Sequence, residues 1–310
     1  MMLRIGYFGD GAWAQKALLK IMGNPSFSVA FIVLRYNTPD KKLEAFAQEK
    51  DIPCFCVPNV NAEDFMGRIQ TFSPEINVSM SFDQILKPAI IQLASKGFIN
   101  CHAGALPFYR GRNILNWALI NGEKQFGVTV HYVDEGIDTG NIILQRFAPI
   151  FREDRYGDLL NKASDLCAET LYDALIQINE GQVQAIPQKA IHPVGFYCSA
   201  RKDGDELIDW AWDSERIYNF VRGIADPAPG ARTFCEGKEY IVDRVALIEN
   251  APNYLDKPGN IVGKSESGIA VKTGDNTILI TRLLTVEKQE VDLSAFRMGQ
   301  RFKRERIEAK

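Results

Sequence analysis

Residues 3–11 read LRIGYFGDG, and residues 12–22 continue as AWAQKALLKIM. The first six residues are a short, mostly apolar run typical of a strand, the next three are typical of a tight turn, and the apolar spacing of residues 12–22 predicts a helix. A strand, a glycine-rich turn and a helix in this order are typical of the start of a Rossmann-like sheet. Position 14 is alanine, so the G-x-G-x-x-G fingerprint is incomplete and the turn alone does not indicate a dinucleotide site.

The alternation of strands and helices continues well beyond this first unit. Further strands are predicted at residues 29–34, 52–57, 76–82 and 98–100, and helices at residues 41–50, 62–72, 88–94, 114–120 and 158–179. Strands that alternate with helices usually pair side by side in parallel. The expected fold class is therefore α/β, with a Rossmann-like, mostly parallel sheet.

The pattern changes after about residue 185. Residues 188–199 have no clear periodicity, and Pro187 and Pro193 lie in or beside them, which is typical of a linker. A helix is then predicted at residues 214–223, followed by short strands at residues 231–234, 240–246, 259–265, 268–272 and 277–284. Several short strands separated by turns indicate a small barrel or sandwich. We therefore predict a large domain over residues 1–187, a linker over 188–204 and a smaller β-barrel-like domain over 205–310.

Composition limits the classes of partner. The 310 residues have a net charge of −3 and a pI of about 5.8, which argues against a nucleic-acid partner because nucleic-acid-binding domains are usually basic. The exception is the basic segment 297–306, which we interpret as a solvated terminal helix. The sequence has no uninterrupted apolar run of about 18 residues and no signal-peptide pattern at its start. We therefore expect a cytoplasmic protein without a membrane partner.

Polar residues follow the last strand of the predicted parallel series. Asn100 and His102 lie two positions apart after an apolar pair, so at strand spacing their side chains share one face. A second alternating run, residues 128–133, leads into the acidic loop 134–138. Ligands of open α/β sheets usually bind at the carboxyl ends of the strands. We therefore expect the functional site in this stretch.

Several short motifs lie around these residues: Asn100-x-His102, Leu106-Pro107, Arg110-Gly111, Trp117, Gly122-Glu123, Gly127-Val128-Thr129 and Asp138-Thr139-Gly140. This ordered set resembles the formyltransferase family that uses 10-formyltetrahydrofolate. The resemblance covers nearly the whole chain and implies that the larger domain is catalytic and that the smaller one is similar to the oligonucleotide-binding fold. Within the family, the sequence looks most like the enzymes that N-formylate amino sugars carried on a nucleotide, such as the formyltransferase half of the UDP-amino-arabinose enzyme.

The resemblance implies catalytic roles for Asn100, His102 and Asp138. When a formyl group moves to an amine, the amine loses a proton, the carbonyl oxygen gathers negative charge, and the leaving nitrogen gains a proton. A histidine near neutral pKa exchanges protons, a carboxamide N–H donates to the oxyanion, and a carboxylate orients the imidazole. We therefore expect an enzyme, an N-formyltransferase.

The resemblance also implies a folate site. The family's pterin-contacting loop corresponds to residues 80–86, and the carried-over cofactor-binding residues are Gln84, Ile85, Leu86, Arg112 and Asp134. Asp134 is also expected to help form the loop that ends at Asp138. The donor is expected to be 10-formyltetrahydrofolate.

The remaining candidate ligands and bases have simpler interpretations. His131 lies in the middle of a predicted strand and is interpreted as a packed core residue, and His192 lies in the predicted linker. Cys54-x-Cys56 has the spacing of a metal-binding pair, but its apolar setting and the lack of a second pair favour buried thiols. We expect no metal.

The acceptor is expected to be an amino sugar on a dTDP or UDP carrier, used for surface polysaccharide or lipopolysaccharide. The alternative is methionyl-tRNA formyltransferase, in which the region after the second strand carries a longer basic insertion that contacts tRNA. Here residues 34–42 are short and mixed in charge. The sequence is also compatible with a formyltetrahydrofolate hydrolase, which usually has an additional N-terminal domain, and with a non-catalytic folate- or nucleotide-binding module.

The resemblance further implies a homodimer. We expect a small barrel to leave some apolar side chains incompletely buried, with Ile278, Ile280 and Leu283 as candidates. Such side chains would be available to a second copy of the chain.

Overall fold

The structure of the protein is a computed structural model that describes residues 2–305. The described chain divides into two compact units. The first comprises residues 2–114, 126–149 and 161–199, and the second comprises residues 115–125, 150–160 and 200–305. Residues 2–199 contain nine strands: β1 (Leu3–Gly9), β2 (Phe27–Leu34), β3 (Cys54–Cys56), β4 (Ile76–Met80), β5 (Phe98–His102), β6 (Arg110–Gly111), β7 (Gln125–Tyr132), β8 (Ile142–Pro149) and β9 (Tyr197–Cys198).

Seven of these strands form one sheet in the order β3-β2-β1-β4-β5-β7-β8. The pairs from β3 through β5 are all parallel, whereas β5 and β7 are antiparallel. This arrangement confirms the predicted α/β class with a mostly parallel sheet. β8 was not predicted from the sequence.

The helices of residues 2–305 follow the predicted alternation. They are α1 (Gly11–Met22), α2 (Lys41–Glu49), α3 (Glu63–Gln70), α4 (Pro88–Ile91), α5 (Ile114–Ile120), α6 (Tyr156–Glu180), α7 (Gln188–Ile191) and α8 (Ser214–Gly223). Asp40 caps α2, because its carboxylate accepts hydrogen bonds from the backbone N–H groups of Lys42 and Leu43. α5 and α8 have the predicted bounds.

The central strands are buried because both of their faces are covered. Every residue of β4 is buried, and β1 is buried except at Arg4. Strands of a parallel sheet with two covered faces are expected to be almost continuously apolar. Phe8 of β1 contacts Phe31 and Phe98, with ring centroids 5.8 and 5.0 Å apart. These contacts hold the start of β5, the strand that carries Asn100 and His102, against the core.

The segment predicted as an irregular linker is partly regular. α7 occupies its start, and β9 pairs in parallel with β6 through Arg110–Tyr197 and Gly111–Cys198. The prediction of irregular structure is therefore wrong for residues 188–191 and 197–198. The reason is tertiary, because a two-residue strand has no periodicity of its own and forms only where a partner strand is in place.

The second unit contains five antiparallel strands in the order β10-β11-β14-β13-β12: β10 (Ala231–Cys235), β11 (Lys238–Leu247), β12 (Ile261–Ser265), β13 (Gly268–Lys272) and β14 (Thr277–Leu284). A later segment bridges the two edge strands. Lys303 N–H donates to the carbonyl of Phe234 in β10 at 2.8 Å, and Ile261 N–H of β12 donates to the carbonyl of Gln300 at 2.9 Å. The predicted barrel-like domain is thus a five-stranded sheet in which both edge strands are hydrogen-bonded to a later segment of the chain.

This bridging corrects the interpretation of the basic tail. Residues 297–305 contain turns and isolated bridges to the sheet, so the predicted solvated helix is wrong there, and Arg306 lies outside the described residues. The side chains of Ile278, Ile280 and Leu283 are each 0% exposed within the core of the second unit. The expectation that the barrel leaves them incompletely buried is wrong, and the homodimer stays a prediction without that support.

The two cysteines of β3 differ in burial. Cys56 is exposed and Cys54 is half-buried, so the expectation of two buried thiols is wrong at Cys56 and met only in part at Cys54, where burial raises the pKa to about 11.

Within residues 2–305, no helix combines the length and the apolar character that crossing a bilayer requires.

Candidate active site

Two adjacent strands place four polar side chains on one face of the sheet. Asn100 and His102 are two residues apart in β5 and therefore point the same way. The register of β5 with β7 places His131 opposite Asn100, and Thr129 opposite His102. Side chains directly opposite each other in an antiparallel pair lie on the same face. The strand pairing itself therefore assembles the first part of the site.

His102 is 8% exposed, and each of its ring nitrogens faces a polar group. Nε2 lies 2.7 Å from the carbonyl oxygen of Tyr109. Since a carbonyl only accepts, Nε2 carries the proton and donates it there. Nδ1 lies 3.6 Å from Oδ2 of Asp138. The close approach depends on Gly104, because a Cβ at that position would lie 2.5 Å from both Nε2 and the Tyr109 oxygen.

The surroundings keep His102 neutral near pH 7. Burial lowers the pKa of His102, the Asp138 carboxylate and the Tyr109 carbonyl act to raise it, and His131 adds a smaller lowering effect; the net direction is below the ordinary value of 6.5. A neutral imidazole with its proton on Nε2 has an open lone pair on Nδ1. It can accept a proton there, and the resulting cation faces the Asp138 carboxylate.

Asp138 connects the two histidines. Its Oδ2 accepts a hydrogen bond from Gly111 N–H at 2.9 Å, and its Oδ1 lies 3.5 Å from Nε2 of His131. Burial acts to raise the pKa of Asp138, but a hydrogen bond from His131 when its ring is protonated, the charge interaction with His102 and the Gly111 N–H outweigh it and lower the pKa to about 2. Asp138 is therefore ionised throughout the neutral range.

His131 fixes the amide of Asn100. Nδ1 of His131 lies 2.8 Å from the carbonyl oxygen of Tyr132 and donates to it, so in the neutral ring Nε2 is an acceptor. Nδ2 of Asn100 lies 3.3 Å from that Nε2 and donates one of its two N–H bonds. The second N–H remains to donate to a developing oxyanion. His131 is 2% exposed, as a packed residue should be, but it also contacts Asn100 and Asp138, which the sequence interpretation missed.

Thr129 holds the loop that follows β5. Its hydroxyl donates to the carbonyl of Gly104 at 2.6 Å and accepts from the Gln145 side-chain amide at 2.7 Å. The same Gln145 amide donates to the carbonyl of Leu106 at 2.9 Å. The loop that carries Gly104 and Tyr109 past His102 is thus bound to the neighbouring strands β7 and β8.

Gln188 is a further buried polar residue that no sequence pattern singled out. Its amide nitrogen donates to the carbonyls of Asp138 and Gly140 at 2.8 and 2.9 Å, and its amide oxygen accepts from the Arg110 guanidinium. It lies in the segment predicted as a linker, where a single glutamine carries no periodic signal. Only the tertiary structure brings it to the Asp138 loop.

The predicted folate residues lie in two loops of the same unit. The side chain of Gln84 accepts from Val60 N–H and donates to the carbonyl of Val57, both at 2.9 Å, so it holds its own loop in place. Ile85 is 68% exposed, whereas Leu86 packs partly against the core. A large exposed apolar side chain is the chemistry that a flat ring system needs.

The remaining two predicted folate residues are exposed. Asp134 accepts hydrogen bonds from Gly136 N–H and from the Thr139 hydroxyl, so it shapes the acidic loop that ends at Asp138. Arg112 donates its backbone N–H to the carbonyl of Cys198 at 3.1 Å, and its side chain is exposed. The folate-binding roles of all five residues stay predictions.

The low pKa of Asp138 has a consequence for stability. Because its pKa is about 2 in the folded protein against 3.8 for an unperturbed aspartate, the ionised side chain stabilises the fold above about pH 4, and this stabilisation is lost as the pH falls toward 2. The full effect corresponds to about 2 kcal/mol. We expect the difference in the free energy of unfolding between the wild type and Asp138→Asn to shrink by roughly this amount between pH 5 and pH 2, which urea unfolding at several pH values measures. A difference that stays constant over this range would contradict the assignment.

The assembled groups suit one kind of chemistry. A neutral, buried imidazole can take up and return a proton, an ionised carboxylate stabilises the imidazolium, and an amide N–H can stabilise negative charge on a carbonyl oxygen. His102, Asp138 and Asn100 supply these groups in one place. The combination fits acyl transfer to an acceptor that must lose a proton.

Comparison with known proteins identifies the family. Residues 4–175 match the model described as formyl transferase, and residues 201–301 match that of the formyl transferase C-terminal domain. A methionyl-tRNA formyltransferase from Halothermothrix orenii is 32% identical over 97% of this chain and 98% of its own, and one from Pelotomaculum thermopropionicum is 35% identical over 80% and 78%. An N-formyltransferase from Helicobacter canadensis, crystallised with folinic acid and dTDP-3-aminofucose, has the same fold, with a TM-score of 0.66 and 21% identity over 91% of this chain and 99% of its own.

These relatives correct the predicted acceptor. The prediction of a nucleotide-linked amino sugar is wrong, because four curated relatives that are 32–35% identical over 80–97% of this chain are methionyl-tRNA formyltransferases. The likeness to the sugar N-formyltransferase shows the fold alone. The prediction relied on the net charge of −3 to exclude a nucleic-acid partner. Net charge is a property of the whole chain and does not describe the charge of one binding surface.

The match to the formyl transferase model covers more than half of the chain, and the full-length relatives extend it through the second unit. The geometry of Asn100, His102 and Asp138 suits the same chemistry. The chain is a member of the formyl transferase family, an N-formyltransferase.

Proposed function

We propose that this protein is a methionyl-tRNA formyltransferase. It moves a formyl group from 10-formyltetrahydrofolate to the α-amino group of methionine on the initiator tRNA. The observation that carries the proposal is the relationship to methionyl-tRNA formyltransferases along both units of the chain, at 32% identity over 97% of its length in one case.

The site supports this reaction through three residues. The donor, when bound, supplies the formyl carbon and a nitrogen leaving group. The second N–H of the Asn100 amide donates to the formyl oxygen as it gains charge, which costs no reorganisation because His131 already orients the amide. The neutral His102 takes the proton that the attacking amine loses, and returns it for the departing nitrogen. Asp138 stabilises the imidazolium in between.

Two loops of the first unit suit the flat, largely apolar pterin of the donor. Ile85 is 68% exposed on a loop held by Gln84, and Ile137 is 56% exposed beside Asp138. Exposed aliphatic side chains on loops fixed by hydrogen bonds are a ready surface for an aromatic ring. Gln84 and Asp134 would act through the loops they hold, and Arg112 has an exposed guanidinium for an acidic part of the donor.

The acceptor is tested by offering the two classes of substrate in separate reactions. Purified protein is given 10-formyltetrahydrofolate with initiator tRNA charged with labelled methionine and, separately, with UDP- and dTDP-linked amino sugars. We expect formylmethionine after release of the amino acid from the tRNA, and no change in mass of the sugars. The His102→Ala protein serves as the control for contaminating activity. Formylation of a sugar with none of the tRNA would overturn the proposal and leave the catalytic geometry in place.

A further inference from the structure

Every polar group of the Gln188 side chain is used. The residue is 4% exposed. Its two N–H bonds go to the carbonyls of Asp138 and Gly140, at 2.8 and 2.9 Å, and its oxygen accepts from Nε and Nη2 of Arg110, at 3.1 and 2.6 Å. An amide with both donors and its acceptor satisfied in a buried setting fixes the distance between the groups that it joins.

These bonds close a ring around Asp138. Arg110, which Gln188 holds on one side, is followed by Gly111, whose N–H donates to Oδ2 of Asp138 at 2.9 Å. Gln188 holds the Asp138 backbone on the other side. The backbone of Asp138 has a φ of +55°, a left-handed conformation that is uncommon for residues other than glycine. Such a conformation persists where the surroundings over-determine it, and the ring supplies that constraint.

We propose that Gln188 is a positioning residue that acts through Asp138 on His102. It holds the backbone at Asp138 and Gly140 so that the carboxylate stays within reach of the imidazole. This inference rests on the proposed function only in its use of Asp138 and His102, and does not depend on which amine is the acceptor.

The pairing of β6, which contains Arg110, with β9 does not depend on Gln188. Backbone N–H groups of Arg110 and Arg112 donate to the carbonyls of Phe196 and Cys198, both at 3.1 Å. A Cβ at Gly111, where φ is +92°, would lie 2.6 Å from the Cys198 oxygen, so the two strands are in close contact. Loss of the Gln188 amide therefore loosens the Asp138 loop while the β6–β9 pair remains.

The test uses Gln188→Met, which keeps the length of the side chain and removes all its hydrogen bonds. Gln182→Met is the matched control, since that glutamine is exposed in the same unit. The readout is the NMR titration of the histidine rings, which are only three in this chain. The charge of Asp138 raises the pKa of His102, so a looser carboxylate lets that pKa fall, and the midpoint of the His102 titration moves to lower pH. Asp138→Asn moves it in the same direction.

Kinetics supply the second readout. We expect kcat of Gln188→Met to fall by about 10- to 100-fold, because a small displacement of a catalytic group has effects of that order. In the Asp138→Asn background, the same substitution should lower kcat by less than about threefold, since residues that act through one another are not additive. A protein that merely folds less well would lose activity by the same factor in both backgrounds.

Two results would overturn the proposal: an unchanged His102 titration in folded Gln188→Met, or losses that multiply with Asp138→Asn. The titration needs no acceptor, so it stands even if methionyl-tRNA is not formylated. Gln188→Leu removes the same hydrogen bonds and is the second variant if the methionine variant does not fold.

Discussion

Replacement of His102 by alanine is expected to lower kcat by about 10²- to 10⁴-fold, the usual contribution of a positioned acid and base. The ring is buried, neutral near pH 7 and within 3.6 Å of an ionised carboxylate, so its removal takes away the only imidazole that faces Asp138 through Nδ1 among the described residues. Steady-state rates with saturating donor and acceptor measure the effect. KM should change much less, because a proton carrier acts mainly in the transition state.

The control for this variant is His192→Ala. His192 is exposed and lies in the segment after α7, where its ring contacts Phe108 at a centroid distance of 5.2 Å. It should keep kcat within about threefold of the wild type, since exposed substitutions away from a site have small effects. Circular dichroism and thermal unfolding establish that both variants are folded. Near-normal turnover in folded His102→Ala would exclude the proton-transfer role.

The pH dependence of the wild type follows from the same geometry. In the proposed mechanism the base form of His102 is the active one, and burial outweighs the contacts with Asp138 and the Tyr109 carbonyl and places its pKa below 6.5. Activity should therefore be constant near neutral pH and fall on the acid side as the ring becomes protonated.

Much of the fold was predictable from periodicity because long amphipathic and fully apolar segments carry strong local signals. The helices Ile114–Ile120 and Ser214–Gly223 were predicted to the residue. The strand β8, Ile142–Pro149, was missed because its pattern is mixed: two buried residues at its start are followed by half-exposed and exposed ones. Such a strand forms because β7 offers it a partner.

The part of the candidate site that was predicted consists of polar residues whose position on a strand could be read from the sequence. Asn100 and His102 are two apart on a strand, and Asp138 follows a second alternating run, so their convergence followed from strand geometry together with the family motifs. His131 and Gln188 were not predicted to be part of it. His131 looks like a core residue because it is one, at 2% exposure, and its contacts with Asn100 and Asp138 arise from the β5–β7 register. Gln188 comes from about fifty residues beyond Asp138 and has no local signal.

The acceptor was predicted wrongly for a physical reason. Of the three proposed catalytic residues, Asn100 and His102 lie on β5 and Asp138 lies on the loop between β7 and β8. The chemistry proposed for them is the same for any amine. These residues therefore do not distinguish one amine from another, and the short, mixed-charge segment of residues 34–42 was given too much weight. Neither the length of this one loop nor the net charge of the whole chain describes the surface that binds the acceptor.

Asn100→Ala is expected to lower kcat by about 10²- to 10³-fold, the loss found when one oxyanion donor is removed. The amide of Asn100 donates one N–H to His131 at 3.3 Å, and this contact orients the other N–H for the developing charge. Asn100→Asp should lose at least as much, because it replaces the donor with an acceptor of nearly the same shape. Asn141→Ala, an exposed asparagine of the same unit, is the matched control.

The pH profile separates this role from that of His102. Removal of the Asn100 amide leaves His102 with Asp138 and the Tyr109 carbonyl, the groups that act to raise its pKa. The rate of Asn100→Ala should therefore fall by a similar factor at every pH, with the acid limb unmoved, whereas Asp138→Asn moves that limb to lower pH. A limb that moves in Asn100→Ala would mean that the amide acts on the imidazole and not on the oxyanion. Turnover within about threefold of the wild type would mean that another donor stabilises the charge, since exposed or uninvolved positions typically show effects no larger than this.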